Sequence, residues 1–217
     1  MMTNLFSVFD PCTGILSLNW MSCLIMIFIF PKKFWFQDNK ISIFLNLMLN
    51  KIHLELISLM KYNGTSIIML SIFLIILFNN LMGLLPYVFT STSHLIFSLS
   101  LAFPLWMAFM MYGWFNNMNY MFMHLVPLGT PSMLMPFMVL IETISNLIRP
   151  GSLAVRLTAN MIAGHLLMSL LGNNATEPMI MLPCMILFLM LMIFEFAVAL
   201  IQAYVFMTLS NLYSSEV

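Results

Sequence analysis

The chain has 217 residues, of which 62% are hydrophobic and only 6% are charged, and its formal net charge at pH 7 is zero. Soluble domains carry about 25% charged residues, so this composition excludes an ordinary soluble domain and indicates an integral membrane protein. No basic run suggests nucleic acid as a partner.

The apolar runs are too long and too uniform for the alternating strands of a barrel, so the sequence predicts an all-α polytopic protein with a single membrane domain over residues 1–217. The first predicted transmembrane helix covers residues 14–31. The next segment, 34–62, carries apolar residues at spacings of three and four, with charged side chains on the opposite side. The apolar stripe consists of Ile41, Leu45, Met48, Ile52, Leu56 and Leu59. This pattern predicts an amphipathic helix that lies in the membrane interface.

Two further transmembrane helices are expected over residues 65–85 and 94–115, and Pro104 should kink the second unless neighbours compensate. The last two apolar stretches, 133–171 and 179–212, exceed the length of about 20 residues that crosses a bilayer. Each would be longer than roughly 50 Å as a straight helix. We therefore expect five transmembrane helices, of which the last two are long and strongly tilted.

The distribution of basic residues predicts the orientation of the chain. Five of the seven basic residues lie between the first and second transmembrane helices: Lys32, Lys33, Lys40, Lys51 and Lys61. By the positive-inside rule this segment faces the cytoplasm or its organellar equivalent, the matrix. The N-terminus then lies outside and the C-terminus inside.

Four ionisable residues lie deep within the last two helices, namely Glu142, Arg156, His165 and Glu195. A charged residue at a helix centre costs about 2.5–3.5 kcal/mol on the lenient insertion scale, so such residues line a polar path or pair with one another. Glu142, Arg149 and Arg156 follow one another at intervals of seven residues. On a helix this spacing places their side chains within about 40° of one another around the axis.

On the last helix, Glu195 and Gln202 are also seven residues apart and share a face. Histidine titrates near neutral pH, and a carboxylate in a low dielectric can be moved there. Arginine stays protonated, so it can hold a carboxylate ionised or block a route electrostatically. The set therefore suits proton conduction interrupted by a gate. Small residues should let the two helices approach closely: Ala159, Ala163, Gly164, Ala197, Ala199 and Ala203.

Simpler interpretations are expected for the other polar residues. Arg149 precedes Pro150 and can snorkel to the interface, and Glu177 and Glu216 are expected in solvent. The remaining histidines, His53, His94 and His124, are expected at the interface. Asn79 and Asn80 are expected to hydrogen-bond between helices, and Cys12, Cys23 and Cys184 to act as small apolar fillers. Arg156 can alternatively serve as a structural tie to Glu142 or Glu195.

The stretch "RLTANMIAGHLL", preceded by "IETISNLIRPGSLAV" and followed by "FEFAVALIQAYVF", resembles subunit a of the F-type ATP synthase in its mitochondrial form, as does "FNNLMGLLPYVFTSTSHL". The resemblance implies a non-catalytic stator in the mitochondrial inner membrane beside a ring of c subunits. It also implies contacts with the peripheral stalk and other small membrane subunits, and protons as the transported ion. The N-terminus would lie in the intermembrane space and the C-terminus in the matrix. No cofactor or metal is expected, and no GxxxxGK[ST] motif occurs.

By the same resemblance, Arg156 is the arginine that faces the ring carboxylate, with Asn160 and Gln202 as polar neighbours. His165 and Glu195 correspond to the pair in the half-channel open to the intermembrane space. Glu142 corresponds to the carboxylate of the matrix half-channel. A proton would enter past the first pair, travel on the rotating ring, and leave past Glu142 when Arg156 lowers the pKa of the ring carboxylate.

Two alternatives come from other classes of membrane protein. An antiporter-like subunit of a respiratory complex, or a secondary transporter, should show repeated halves or broken helices around a midplane site, and no internal repeat is found. A haem-binding respiratory subunit needs facing axial histidines, whereas only His165 lies deep in a helix.

Overall fold

The computed structural model describes residues 5–12, 17–29, 37–59, 64–126, 129–175 and 178–216, and all regular secondary structure in these ranges is helical. Four residues used in the sequence predictions, Lys32, Lys33, Lys61 and Glu177, lie outside the described residues, as do parts of the predicted 14–31 and 34–62 helices. The α-helices in the described part are α1 (Ile25–Ile29), α2 (Lys40–Leu59), α3 (Thr65–Gly83), α4 (Leu95–Asn116), α5 (Met118–His124), α6 (Met135–Asn174) and α7 (Pro178–Ser215). Short 3₁₀ helices cover Leu5–Phe9, Leu18–Leu24 and Ser91–Ser93.

Five of the described helices are long and apolar enough to cross a membrane: α2, α3, α4, α6 and α7. This confirms the predicted all-α polytopic class with about five transmembrane helices. The set differs from the expected one, because it includes α2 and not the N-terminal segment. The interfacial placement of α2 stays a prediction, since length and composition alone do not distinguish an interfacial helix from a spanning one.

The N-terminal segment is not one continuous α-helix in its described part. Residues Leu18–Leu24 form a 3₁₀ helix, and only Ile25–Ile29 is α-helical. The hydroxyl of Ser22 donates a hydrogen bond of 3.1 Å to the carbonyl of Phe89, and the ring of Trp20 meets the ring of Phe89 edge-on. These long-range contacts tie the segment to the chain that precedes α4, and local periodicity could not reveal them.

The two over-length helices are each continuous. α6 has 40 residues and runs through Pro150, and α7 has 38 residues and runs through Pro183. At about 1.5 Å per residue, each is close to 60 Å long, about twice the hydrocarbon thickness of a bilayer. α4 likewise continues through Pro104. The strong tilt expected for α6 and α7 stays a prediction.

α6 and α7 pack as an antiparallel pair, with α4 against α6 and α3 against α7. The buried centre includes Leu157, Ala154 and Ala203, each with no exposed surface. The expected role of small residues is partly right. Gly164, Ala199 and Ala203 are buried, whereas Ala159, Ala163 and Ala197 are exposed, because only one side of each helix faces the other.

The three cysteines are free and have different environments. Cys184 is buried and Cys23 is partly buried, which fits the expected filler role. Cys12 is exposed, so that interpretation is wrong for it. Hydrogen bonding to Asp10, together with the negative charge of that carboxylate, raises the pKa of the Cys12 thiol.

Candidate functional site

Polar side chains occur at three levels along the α6–α7 pair. Near the C-terminal end of α7, Arg149 of α6 meets Glu216. In the middle, Asn160 meets Gln202. Towards the turn between the helices, Glu195 of α7 lies against the backbone of α6. The antiparallel pairing creates these levels, since it brings residues far apart in the chain to the same height.

The first level is an ion cluster around Arg149. Its guanidinium forms an ion pair with Glu216, lies 3.7 Å from the carboxylate of Glu142, and is 5.0 Å from the centre of the Tyr213 ring. The structure therefore pairs two residues that were expected to snorkel or to lie free in solvent. One cation and two carboxylates leave the cluster with one net negative charge when both carboxylates are ionised.

Arg156 has a different environment, although it lies seven residues further along the same helix. It is exposed, and in the described part of the chain it forms no ion pair or hydrogen bond. The interpretation of Arg156 as a structural tie is therefore wrong within these residues, because Glu142 pairs with Arg149 and Glu195 lies against Gly164. The exposed face around Arg156 also carries the small residues Ser152, Ala159 and Ala163.

The second level is a direct hydrogen bond between the two helices. The side-chain amide of Asn160 donates to the Oε1 atom of Gln202 over 3.0 Å, and Gln202 is only 6% exposed. Asn160 lies about one helical turn from Arg156. The bond holds two polar groups in fixed positions beside the exposed guanidinium.

The third level contains Glu195 and His165. Glu195 is buried, with its carboxylate so close to Gly164 that a β-carbon at that position would overlap it. His165 is the next residue of α6 and is partly buried, and the ring of Phe9 meets its imidazole edge-on at 6.2 Å. The Nε2 atom of His165 is buried and has no hydrogen-bond partner among the described residues. Glu195 therefore lies beside the α6 backbone next to His165, and no hydrogen bond joins the two side chains in the part that the structure describes.

A buried polar cluster near Ser91–Ser93 was missed from the sequence. Thr92 and Asn80 have no exposed surface, and the Thr92 hydroxyl and both amide atoms of Asn80 have no partner in the described chain. The Nδ2 atom of Asn79 and the Nε2 atom of His94 are also buried and unpartnered there. The interhelical hydrogen bonds expected from the amides of Asn79 and Asn80 are therefore not observed among the described residues. The signal available in the sequence was the polar run "TSTSH" between two apolar helices.

Comparisons with known proteins cover nearly the whole chain. The profile of the family described as ATP synthase A chain matches residues 15–215. The chain is 55% identical over 225 residues to ATP synthase subunit a of Anopheles gambiae, and 56% identical over 224 and 223 residues to those of Locusta migratoria and Drosophila yakuba. In each case the alignment covers all of both proteins.

Proposed function

Because the chain belongs to the ATP synthase A chain family, we propose that it is the proton-conducting stator subunit of the ATP synthase membrane sector, located in the mitochondrial inner membrane. Membership of this family argues against both alternatives, the antiporter-like subunit or secondary transporter and the haem-binding respiratory subunit. The subunit conducts protons, and the catalytic nucleotide sites belong to other subunits of the complex. Its partners are a ring of c subunits, the peripheral stalk and small membrane subunits.

The observation that carries this proposal is that Arg156 is exposed and has no ion-pair partner among the residues that the structure describes. An unpaired guanidinium facing lipid would be costly, so its counter-ion is expected on another chain. The small side chains of Ser152, Ala159 and Ala163 on the same face allow a neighbouring helix to approach closely. A ring carboxylate that passes this face meets a permanent positive charge, which favours its ionised form.

The flanking levels suit the inlet and the outlet of the proton path. The inlet is assigned to His165 and Glu195. The Ser91–Ser93 helix of the buried polar cluster around Asn80 and Thr92 packs against α6. Buried polar atoms without protein partners are usually satisfied by ordered water, so a hydrated route on this side is expected. The outlet is assigned to Glu142 at the Arg149 cluster.

Arg156 separates these two routes. Asn160 and Gln202, joined by their hydrogen bond, stand beside it as fixed polar neighbours. A proton that tried to pass directly from inlet to outlet would have to approach the fixed positive charge. Protons are therefore carried by the ring through nearly a full rotation, and each charge that moves down 100 mV supplies about 2.3 kcal/mol. With the N-terminus in the intermembrane space, the inlet opens there and the outlet opens to the matrix.

The test is Arg156→Ala in the assembled ATP synthase of inner-membrane vesicles. We expect assembly to be retained and ATP synthesis driven by an imposed proton gradient to be lost, because the ring carboxylate no longer meets the charge that drives its deprotonation. Lys40→Ala, which removes an exposed charge at the first residue of α2, is the control and should leave synthesis unchanged. Sustained coupled synthesis in the Arg156→Ala enzyme would refute the proposal.

A further inference from the structure

One cavity adjoins the proposed outlet. It has a volume of about 230 Å³ and lies between α4, α5, α6 and α7. A single water molecule needs about 10–15 Å³, so the cavity has room for several. Arg149 and Glu216 of the ion cluster line it, together with Tyr213.

The wall contributed by α4 is aromatic and carries an unsatisfied donor. Trp106, Phe109 and Trp114 line the cavity from this helix. The indole N–H of Trp106 is buried and has no partner in the described part of the chain. The α4 side of the cavity is therefore lined mainly by aromatic rings, and water in it is expected beside the charged groups of Arg149 and Glu216.

The fourth wall comes from the short helix α5 and contributes an imidazole. His124, the last residue of α5, lines the cavity and is exposed, so it lies where the cavity meets the surroundings. The titratable and charged groups around it are Tyr120 on its own helix, with ring centres 6.5 Å apart, Arg149 on α6, Tyr213 on α7, and Glu216 just after the end of α7. His124 is the only histidine among the described residues that line the cavity, and imidazole is the side chain that most often serves as a proton shuttle.

We propose that His124 is a proton-exchange group at the mouth of the outlet, which passes protons between the water of the cavity and the matrix solution. The inference rests on the proposed function. It adds to the proton path a residue that the sequence had only placed at the membrane interface. The step has three parts. A proton held by the net-negative Glu142–Arg149–Glu216 cluster moves onto cavity water, from there onto the free ring nitrogen of neutral His124, and from the imidazolium to solvent or buffer. In the pumping direction the same transfers run in reverse.

The experiment uses inside-out inner-membrane vesicles that contain the whole ATP synthase, since the matrix face is then in contact with the medium. ATP-driven proton pumping is measured against the pH of the medium for His124→Gln. At alkaline pH free protons are scarce, so uptake depends on a surface group that exchanges protons with buffer. We expect a loss of rate of about two- to tenfold that grows as the pH rises. This is smaller than the effect of about 10²-fold or more of a general acid or base at a reacting group, because water and buffer can also exchange protons with the cavity.

Two further measurements separate proton exchange from a structural role. Imidazole added to the medium should restore the rate of His124→Gln, and His124→Glu, which keeps a titratable group, should retain part of it. The matched control is His53→Gln, whose imidazole lies on α2 beside Ser66 and does not line the cavity; its pH profile should match that of the unmodified enzyme. His124→Asn is assayed in parallel, so that poor assembly of one variant does not prevent the comparison.

The inference is overturned if the His124 variants keep the unmodified pH profile, or if their rates fall without any response to imidazole. The proposed function is tested separately by Arg156→Ala. Loss of coupling in that variant, combined with unchanged His124 variants, would refute the exchange role alone. Retained coupling in Arg156→Ala would instead refute the proposed function.

Discussion

Gly164 allows the carboxylate of Glu195 to lie against α6, and Gly164→Ala tests whether that position matters for proton entry. The Glu195 side chain is 6% exposed and lies over the glycine. A β-carbon added at this position would overlap all three atoms of the carboxylate group. The farthest of them, Oε1, would be only 2.7 Å away. Ordinary van der Waals contact begins at 3.4 Å, so this atom has to move by about 0.7 Å and the other two by more.

The carboxylate is the end of a flexible side chain, so it can move without unfolding the helix pair. Overpacking in a core costs about 1–3 kcal/mol, and part of this is offset because alanine is favoured over glycine in a helix by about 0.5–1 kcal/mol. We therefore expect assembly to survive. A misplacement of about 1 Å in a reacting group can lower a rate by about 10²-fold, so proton transport should fall between about tenfold and a hundredfold.

The assay compares ATP synthesis, driven by an imposed gradient, as a function of the pH on the intermembrane-space side. Gly172→Ala is the matched control, because it lies on the same helix and an added β-carbon there meets nothing within 4 Å. Glu195→Gln gives the reference profile for an inlet without that carboxylate, and it should slow transport and change the pH dependence. The reasoning fails if Gly164→Ala behaves like Gly172→Ala.

Two other contacts lead to predictions of a different kind. Asn160→Ala and Gln202→Ala should each slow transport, and the double variant should be less than additive by about 0.6–1.5 kcal/mol, because both changes break one hydrogen bond. A strictly additive cycle, measured from transport rates, would show that the bond has no role. Cys12 should react with a membrane-impermeant maleimide added from the intermembrane-space side, and faster as the pH rises, since its raised pKa keeps the thiol protonated at neutral pH. Labelling from the matrix side alone would contradict the proposed orientation, and buried Cys184 is the internal control.

Most helix bounds were predictable because apolar length is a local property. The helices expected over 65–85 and 94–115 are observed at Thr65–Gly83 and Leu95–Asn116. The N-terminal segment was not predictable in this way. Its conformation depends on contacts of Ser22 and Trp20 with Phe89, almost 70 residues away in the chain.

The candidate site also has features that local sequence patterns predict and features that depend on long-range contacts. Composition determined the class of protein, and the motifs around Arg156 determined the family. Glu142, Arg149 and Arg156 could be placed within one sector of α6 from their spacing. Periodicity describes a single helix, so it gave Arg149 and Arg156 the same face, and it could not show which of them has a carboxylate partner on another element.

Only the packing of α7 against α6 decided that Arg149 and Arg156 have different environments. The end of α7 places Glu216 against Arg149, whereas no described carboxylate reaches Arg156. The same packing decided that Gly164 lies beneath Glu195 and that Ala159 and Ala163 are exposed beside Arg156. A partner for a charge depends on where a second element crosses the first, and this crossing is a property of tertiary structure because it brings together residues far apart in the chain.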